Sequence, residues 1–272
     1  MYLLFDIGGT NIRITVSDGK TVNEPRIVPT PLDFQEGIET IKKIADELSN
    51  GQKIKQVAGG IAVVFNEDKS IPISTSHLHG WVNKPLKDSL EKQFQVPVTL
   101  ENDTAVYGLG EATVRKEARK NIVVYLTIST GVGGVRIVNQ KIDKNALGFE
   151  PGHQIIVIDG NSCHCGGKGH LETYVGGWYL ERDYHLKAEN IKDPQIWDKV
   201  AKYLAVGLNN TIVHWSPDIL ILGGAVMKSI SLEKVKSYLS EKLTIFPTPP
   251  KLILAQLGDK GGLYGALALL NR

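Results

Sequence analysis

Twice in this chain an apolar strand runs into a glycine-rich turn and comes out again as a strand. Asp6-Ile7-Gly8-Gly9-Thr10-Asn11 lies between the strand-like runs 2–6 and 11–17, and Thr130-Gly131-Val132-Gly133-Gly134 lies between the runs 121–129 and 135–139. Glycine has no Cβ, so backbone N–H groups in such a turn can close on phosphate oxygens. One Gly-Gly turn alone also suits an ordinary hairpin. A second turn of the same kind favours a nucleotide gripped through its phosphates from both sides, with the Asp6 carboxylate able to orient Mg²⁺. Gly223-Gly224-Ala225, after the strand 219–222, offers a third backbone approach.

This weak internal repeat predicts an α/β chain of two similar lobes facing a cleft. Its 272 residues fit two such units. The boundary is expected near the charged connector 115–120, giving an N-terminal α/β lobe over 1–117 and a C-terminal α/β lobe over 118–272 that carries a possible zinc loop. The terminal helix after Gly261-Gly262 is free to pack back on the N-terminal lobe. The opening reads as an antiparallel meander with a third strand over 22–28. Asp33 with Glu36 resembles a capping box ahead of Phe34, Ile38, Ile41, Ile44, Ala45 and Leu48, predicting a helix over about 34–49. Strands over about 56–64, 98–101, 219–222 and 251–255 alternate with helices over about 85–94, 103–113 and 194–214, the alternation of an α/β fold.

Composition removes several classes of function. Lys plus Arg number 31 against 29 Asp plus Glu, a net charge of +2 with no basic run, so nucleic acid is not an expected partner. No apolar stretch approaches the roughly 18–20 residues that span a bilayer, and Met1 to Phe5 is too short for a signal segment, so a cytoplasmic protein without a membrane partner is expected. Cys163 and Cys165 are one residue apart, where a mutual disulfide is strained. Metal ligation or free thiols are left.

Asn102-Asp103 falls at the start of a predicted helix, where capping is the plain role. The functional alternative is a general base for a hydroxyl attacking a γ-phosphate. Glu150, His153, Cys163, Cys165, His170 and Glu172 form the densest group of reactive side chains. Two thiolates and two imidazoles suit a closed, structural tetrahedral Zn²⁺ site, with His164 as a spare ligand; the alternative is a glycine-rich surface loop with free thiols. Histidines 77, 79, 185 and 214 read as surface or satisfied core residues, and Trp178, Trp197 and Trp215 as packing residues.

Together these motifs resemble the ROK family (repressor, open reading frame, kinase), whose enzymes are sugar kinases with the two-lobed actin-like ATPase, or ribonuclease H-like, fold. The resemblance runs through residues 6–13, Gly80-Trp81-Val82-Asn83-Lys84-Pro85-Leu86, Glu101-Asn102-Asp103, residues 129–134, Glu150-Pro151-Gly152-His153, residues 163–172, residues 221–224 and Leu257-Gly258-Asp259. It implies Asp103 as catalytic base and Asn102, Glu150, His153 and Glu172 as sugar contacts. It implies Mg²⁺-ATP on Asp6, Gly8, Gly9, Thr10, Asn11, Thr130, Gly131, Gly133, Gly223 and Gly224. Structural Zn²⁺ on His153, Cys163, Cys165 and His170 follows too, with His153 serving metal and sugar through its two ring nitrogens, as does a homodimer.

Three departures stand out. His170 replaces the family's third zinc cysteine, Val64-Phe65 replaces a Pro-Gly near the expected sugar pocket, and His77 stands where an Asn is usual. Phe65, if it narrows the pocket, favours glucose over N-acetylhexosamines. Family repressors carry an added N-terminal DNA-binding segment, for which no room is expected ahead of Asp6. The leading expectation is ATP-dependent phosphorylation of a hexose, glucose first, at its 6-hydroxyl. Mannose, fructose or an N-acetylhexosamine is the alternative substrate, and a non-catalytic sugar sensor the alternative class.

Overall fold

The computed structural model describes residues 1–75, 77–119, 121–146 and 148–270. Lys120, the end of the expected connector, lies outside them. The chain divides into two compact units, one of residues 1–116, 146–148 and 256–272 and the other of 117–145 and 149–255.

The first unit begins with strands β1 (Tyr2–Ile7), β2 (Asn11–Ser17) and β3 (Arg26–Pro29), continues through helix α1 (Phe34–Ser49), strands β4 (Gln56–Ile61), β5 (Val64–Phe65) and β6 (Pro72–Ser74), and ends its first pass with helix α2 (Leu86–Phe94), strand β7 (Val98–Asn102) and helix α3 (Asp103–Thr113). Its five-stranded sheet has the order β3-β2-β1-β4-β7, with β1 antiparallel to β2 and parallel to β4. The third strand is shorter than expected because Pro25 cannot donate to a ladder, and pairing with β2 starts at Arg26. In α1 the Asp33 carboxylate accepts the Glu36 N–H at 2.9 Å, and Ile38, Ile41, Ile44 and Ala45 are buried at helical spacing. The helix stops at Asn50, whose φ of 47° is left-handed.

The second unit holds strands β8 (Ile122–Ile128), β9 (Val132–Val138) and β10 (Lys141–Ile142), helices α4 (Glu172–Val175), α5 (Gly177–Tyr184) and α6 (Pro194–Trp215), strand β11 (Ile219–Gly223), helix α7 (Leu232–Lys242) and strand β12 (Lys251–Leu254). Its sheet order, β10-β9-β8-β11-β12, repeats the first unit's pattern of an antiparallel meander followed by two parallel additions. The internal repeat read from the glycine loops is therefore a repeat of topology. Helix α8 (Gly261–Leu270) then returns to the first unit, packing against α3 so closely that a Cβ on Gly265 would stand 1.7 Å from the Val106 carbonyl oxygen.

Each unit has its own hydrophobic core. In the first, Leu3, Phe5, Ile12 and Ile14 of the sheet meet Ile38 and Ile41 of α1 with Trp81, which has no exposed surface. The Gly80-Trp81 motif works here as packing. The Trp81 indole N–H donates to the Pro31 carbonyl at 3.0 Å, and its ring fills the notch over Gly37, where a Cβ would stand 2.2 Å from Cζ2. In the second, Val124 and Leu126 of β8 and Leu220 and Leu222 of β11 pack with Leu204, Leu208 and Ile212 of α6. Among the described residues no helix is long and apolar enough to cross a membrane.

Candidate active site

In the first unit the sheet register brings the phosphate-loop and base candidates to one edge. Ile7 pairs with Ile61, and Ile61 with Asn102, all in parallel. Gly8 and Asp103 therefore leave the same carboxyl edge, where open α/β sheets bind ligands. The loop between β1 and β2 is tight: the Gly8 N–H donates to the Asn11 carbonyl at 2.9 Å, the Thr30 hydroxyl donates to the Gly8 carbonyl at 2.8 Å, and the Thr30 N–H donates to the Thr10 carbonyl at 2.9 Å. A Cβ on Gly9 would stand 2.7 Å from Cβ of His77. His77 is thus an exposed side chain laid against the first glycine loop.

Asp103 is the first residue of α3. Its N-cap Asn102 accepts the Ala105 N–H at 3.1 Å and donates its amide to the Val63 carbonyl at 3.1 Å, so the capping reading holds for Asn102, and Asp103 follows it as the first residue of the helix. Gly60 lets α3 approach β4, its Cβ position lying 3.1 Å from Cα of Asp103. Burial raises the Asp103 carboxyl above its usual range, with the Thr104 N–H, 2.8 Å from Oδ1, pulling the other way. Asp6 is pushed up to about 7, first by burial and then by the charge of Asp103, against the opposing pull of Arg13. Arg13 stands 3.8 Å from both Asp6 and Asp259, which gives the Leu257-Gly258-Asp259 motif its place beside the first glycine loop.

In the second unit the glycine loop is shorter than expected. Gly133 and Gly134 belong to β9, Gly133 pairing with Thr127, so the loop itself is Ser129-Thr130-Gly131. The Ser129 and Thr130 carbonyls accept the N–H groups of Gly177 at 2.7 Å and Trp178 at 3.0 Å, fastening the loop to the start of α5. Trp178 is 42% exposed there rather than packed inside. The missing Cβ atoms of Gly134 and Gly152 let Pro151 lie on β9; at Gly134 a Cβ would stand 2.7 Å from Pro151 Cγ, and at Gly152 2.1 Å from the Val132 carbonyl oxygen. That contact sets the short turn between Glu150 and His153. Gly224 has φ of 96° and presses on Ile128, where a Cβ would stand 2.2 Å from its carbonyl oxygen, so the third glycine turn meets the end of β8.

The donors of His153, Cys163, Cys165 and His170 all lie within 4.8 Å of one another. His153 and His170 face each other through Nδ1 at 3.3 Å, Cys163 Sγ is 3.8 Å from His153 Nδ1, and Cys165 Sγ is 3.4 Å from His170 Nδ1. A tetrahedral zinc with ordinary Zn–N and Zn–S bonds requires N···N near ~3.3 Å and N···S near ~3.6 Å. The donor set fits that geometry, and the Nδ1 choice leaves Nε2 of His153 for another partner. His164 is not part of the set, its ring stacking edgewise on Trp178 at 4.0 Å between centroids.

Leu171 fixes the residues on either side of it. Fully buried, it fills the notch at Gly207 of α6, where a Cβ would stand 2.4 Å from Leu171 Cδ2. His170 is thereby held among the candidate metal donors and Glu172 near the Ser129-Thr130-Gly131 loop, with Oε2 of Glu172 lying 3.0 Å from the position a Gly131 Cβ would take. Glu172 Oε1 is 3.0 Å from Cys163 Sγ and accepts the Tyr179 hydroxyl at 3.3 Å. Tyr179 was not legible in the sequence. It follows Glu172 by seven residues, a spacing that one continuous helix would stretch over about 10 Å, and the extended Gly176 between α4 and α5 breaks the helix and brings the pair together.

The model of the ROK family matches residues 2–272. The chain belongs to the ROK family. An Escherichia coli relative named N-acetyl-D-glucosamine kinase is 28% identical over 99% of both chains. Among solved structures, a ROK hexokinase from Thermus thermophilus superposes with a TM-score of 0.89 at 26% identity, covering 99% of this chain and 98% of that one. A ROK glucokinase from Streptomyces griseus, in complex with glucose and AMPPNP, superposes with a TM-score of 0.82 at 25% identity over 98% of both. The fold of this ROK chain is the actin-like ATPase fold expected from its motifs.

Proposed function

We propose that this ROK protein phosphorylates a hexose at its 6-hydroxyl, with glucose as the first candidate. It is an ATP-dependent sugar phosphotransferase, a reading supported by its whole-length likeness to named sugar kinases. The observation that carries the specific reading is Asp103, an acid held by a helix cap at a sheet's carboxyl edge and raised by burial. A base that must accept a hydroxyl proton near neutral pH works best with a raised pKa.

In this reading Asp103 takes the proton of the attacking hydroxyl at Oδ, while Asn102, Glu150, His153 and Glu172 contact the other sugar hydroxyls. The turns at Gly8-Gly9-Thr10-Asn11, Thr130-Gly131 and Gly223-Gly224 turn backbone toward nucleotide phosphates, with Gly133 supporting the second from within β9. Asp6 is the residue to hold Mg²⁺, because a cation offsets both the burial and the neighbouring Asp103 charge that raise its pKa. Bound Mg²⁺ would supply charge neutralisation for the phosphates. Zn²⁺ on His153, Cys163, Cys165 and His170 would be structural, with no ligand position left for water.

N-acetylglucosamine is the second candidate, and a specific observation favours it. Phe65 is 7% exposed and packs in the core of the first unit, so its ring does not supply the narrowing that would disfavour a 2-N-acetyl group. The E. coli relative bears that sugar in its name. A coupled ADP-release assay over glucose, mannose, fructose, N-acetylglucosamine and N-acetylmannosamine tests the proposal. The highest kcat/KM on glucose supports the first candidate, a higher value on N-acetylglucosamine replaces it with the second, and no turnover on any of them rejects the hexose reading.

A further inference from the structure

Tyr179, on α5, is 2% exposed, and its hydroxyl meets three groups. The backbone N–H of His164 donates to it at 3.1 Å. That leaves its single proton to donate, toward Glu172 Oε1 at 3.3 Å and Cys163 Sγ at 3.4 Å. Those two acceptors are themselves 3.0 Å apart. A metal-ligating cysteine is a thiolate, so in the metal-loaded protein two anions share one hydroxyl proton. Without it they repel, and the mobile partner is the carboxylate, since the thiolate is tied to the metal. The ring cannot evade the contact, because His164 lies against it at 5.2 Å between centroids and the Arg182 guanidinium covers it at 5.1 Å.

We propose that Tyr179 is a positioning residue that couples the metal site to the sugar site: its hydroxyl holds Glu172 beside Cys163 and so sets the affinity for sugar. The coupling rests on the reading of Glu172 as a sugar contact and of Cys163 as a metal ligand. It acts on binding, so it belongs in the KM for sugar and in the hold on the metal, not in turnover or in the KM for ATP.

Tyr179→Phe removes the oxygen and keeps the buried ring. The expected result is a sugar KM raised about tenfold or more, with kcat within about threefold and the KM for ATP unchanged, as for loss of one hydrogen bond to a charged group. Zinc release to a colorimetric chelator, measured without substrates, should quicken about 10-fold or more. Glu172→Gln and the double variant complete a cycle. If Tyr179 acts through Glu172, adding Tyr179→Phe to Glu172→Gln costs little further sugar affinity. Unchanged sugar KM and unchanged zinc release in Tyr179→Phe, alongside an impaired Glu172→Gln, overturn the coupling and leave the sugar-contact reading standing. An unimpaired Glu172→Gln, or wild-type protein that holds no zinc, overturns the underlying reading and the coupling with it.

Discussion

Glu111 Oε1 accepts the backbone N–H of Leu257 at 2.8 Å, joining α3 to the chain just where it re-enters the first unit. The same carboxylate accepts the Gln256 N–H at 2.9 Å and pairs with the Arg115 guanidinium, and neither acid nor base is exposed. Two residues on is Asp259, which meets Arg13 beside the first glycine loop. A buried charge network at the C-terminal end of α3 therefore aims a segment at the candidate nucleotide site.

Replacing Glu111 with Ala leaves a buried guanidinium and two backbone donors without this partner. The expected cost is about 3–5 kcal/mol of stability, read as a fall of about 10 °C or more in Tm. Glu111→Gln, which keeps one acceptor oxygen, should lose less. A Tm within a degree of wild type in Glu111→Ala would show that the network carries no weight.

Asp103→Asn keeps the shape of the side chain but accepts no proton at neutral pH. Turnover should fall by about 10²–10⁴ while the KM for sugar changes little. Steady-state kinetics on the best hexose decide the matter, and wild-type turnover in the variant would remove Asp103 from the role of base.

Elemental analysis of protein purified without added metal should find zinc bound to each chain. Chelation should lower Tm and raise the KM for sugar together. His170→Ala should lose the metal and His170→Cys should retain it, since either imidazole or thiolate completes the tetrahedron. His164→Ala should leave the stoichiometry intact, because that ring stacks on Trp178 instead of facing the donors. Zinc lost with His164 and kept without His170 would contradict the ligand set.

Asp6 should leave a mark on the pH dependence of stability. Its carboxyl, ordinarily at 3.8, is raised to about 7 in the folded chain by burial and by Asp103. Between those values the folded chain holds a proton that the unfolded chain has lost, so stability falls as pH rises through this window, by at most about 1.4 kcal/mol per pH unit. Thermal unfolding of metal-free protein from pH 5 to pH 8 should show a steeper decline in wild type than in Asp6→Asn. Added Mg²⁺ should flatten the wild-type curve by favouring the ionised form. Equal slopes in the two proteins would mean that Asp6 titrates normally.

What the sequence by itself determined is whatever depends on local chemistry. The Asp33 cap and its apolar spacing specify α1, glycines specify where backbone must turn or come close, and the run from His153 to His170 contains four side chains whose donors come within 4.8 Å of one another. Family membership followed from motif order. What only the tertiary structure decided depends on contacts between distant segments. Gly133 and Gly134 proved to be strand residues because β9 pairs back on β8 from Val132 onward, a ladder no local preference announces. Phe65 faces the core, and Trp178 faces outward beside Thr130, because the direction of a side chain near a loop is set by what packs against it. Tyr179 reaches Glu172 only because the chain breaks helix at Gly176 and restarts against the Ser129-Thr130-Gly131 loop. Leu171 seats in the Gly207 notch across a separation that no spacing in the sequence encodes, and that notch orients His170 and Glu172. Hydrogen-bond reach and Cβ clearance are properties of space, so residues whose role lies in touching another segment stay hidden until the chain is folded.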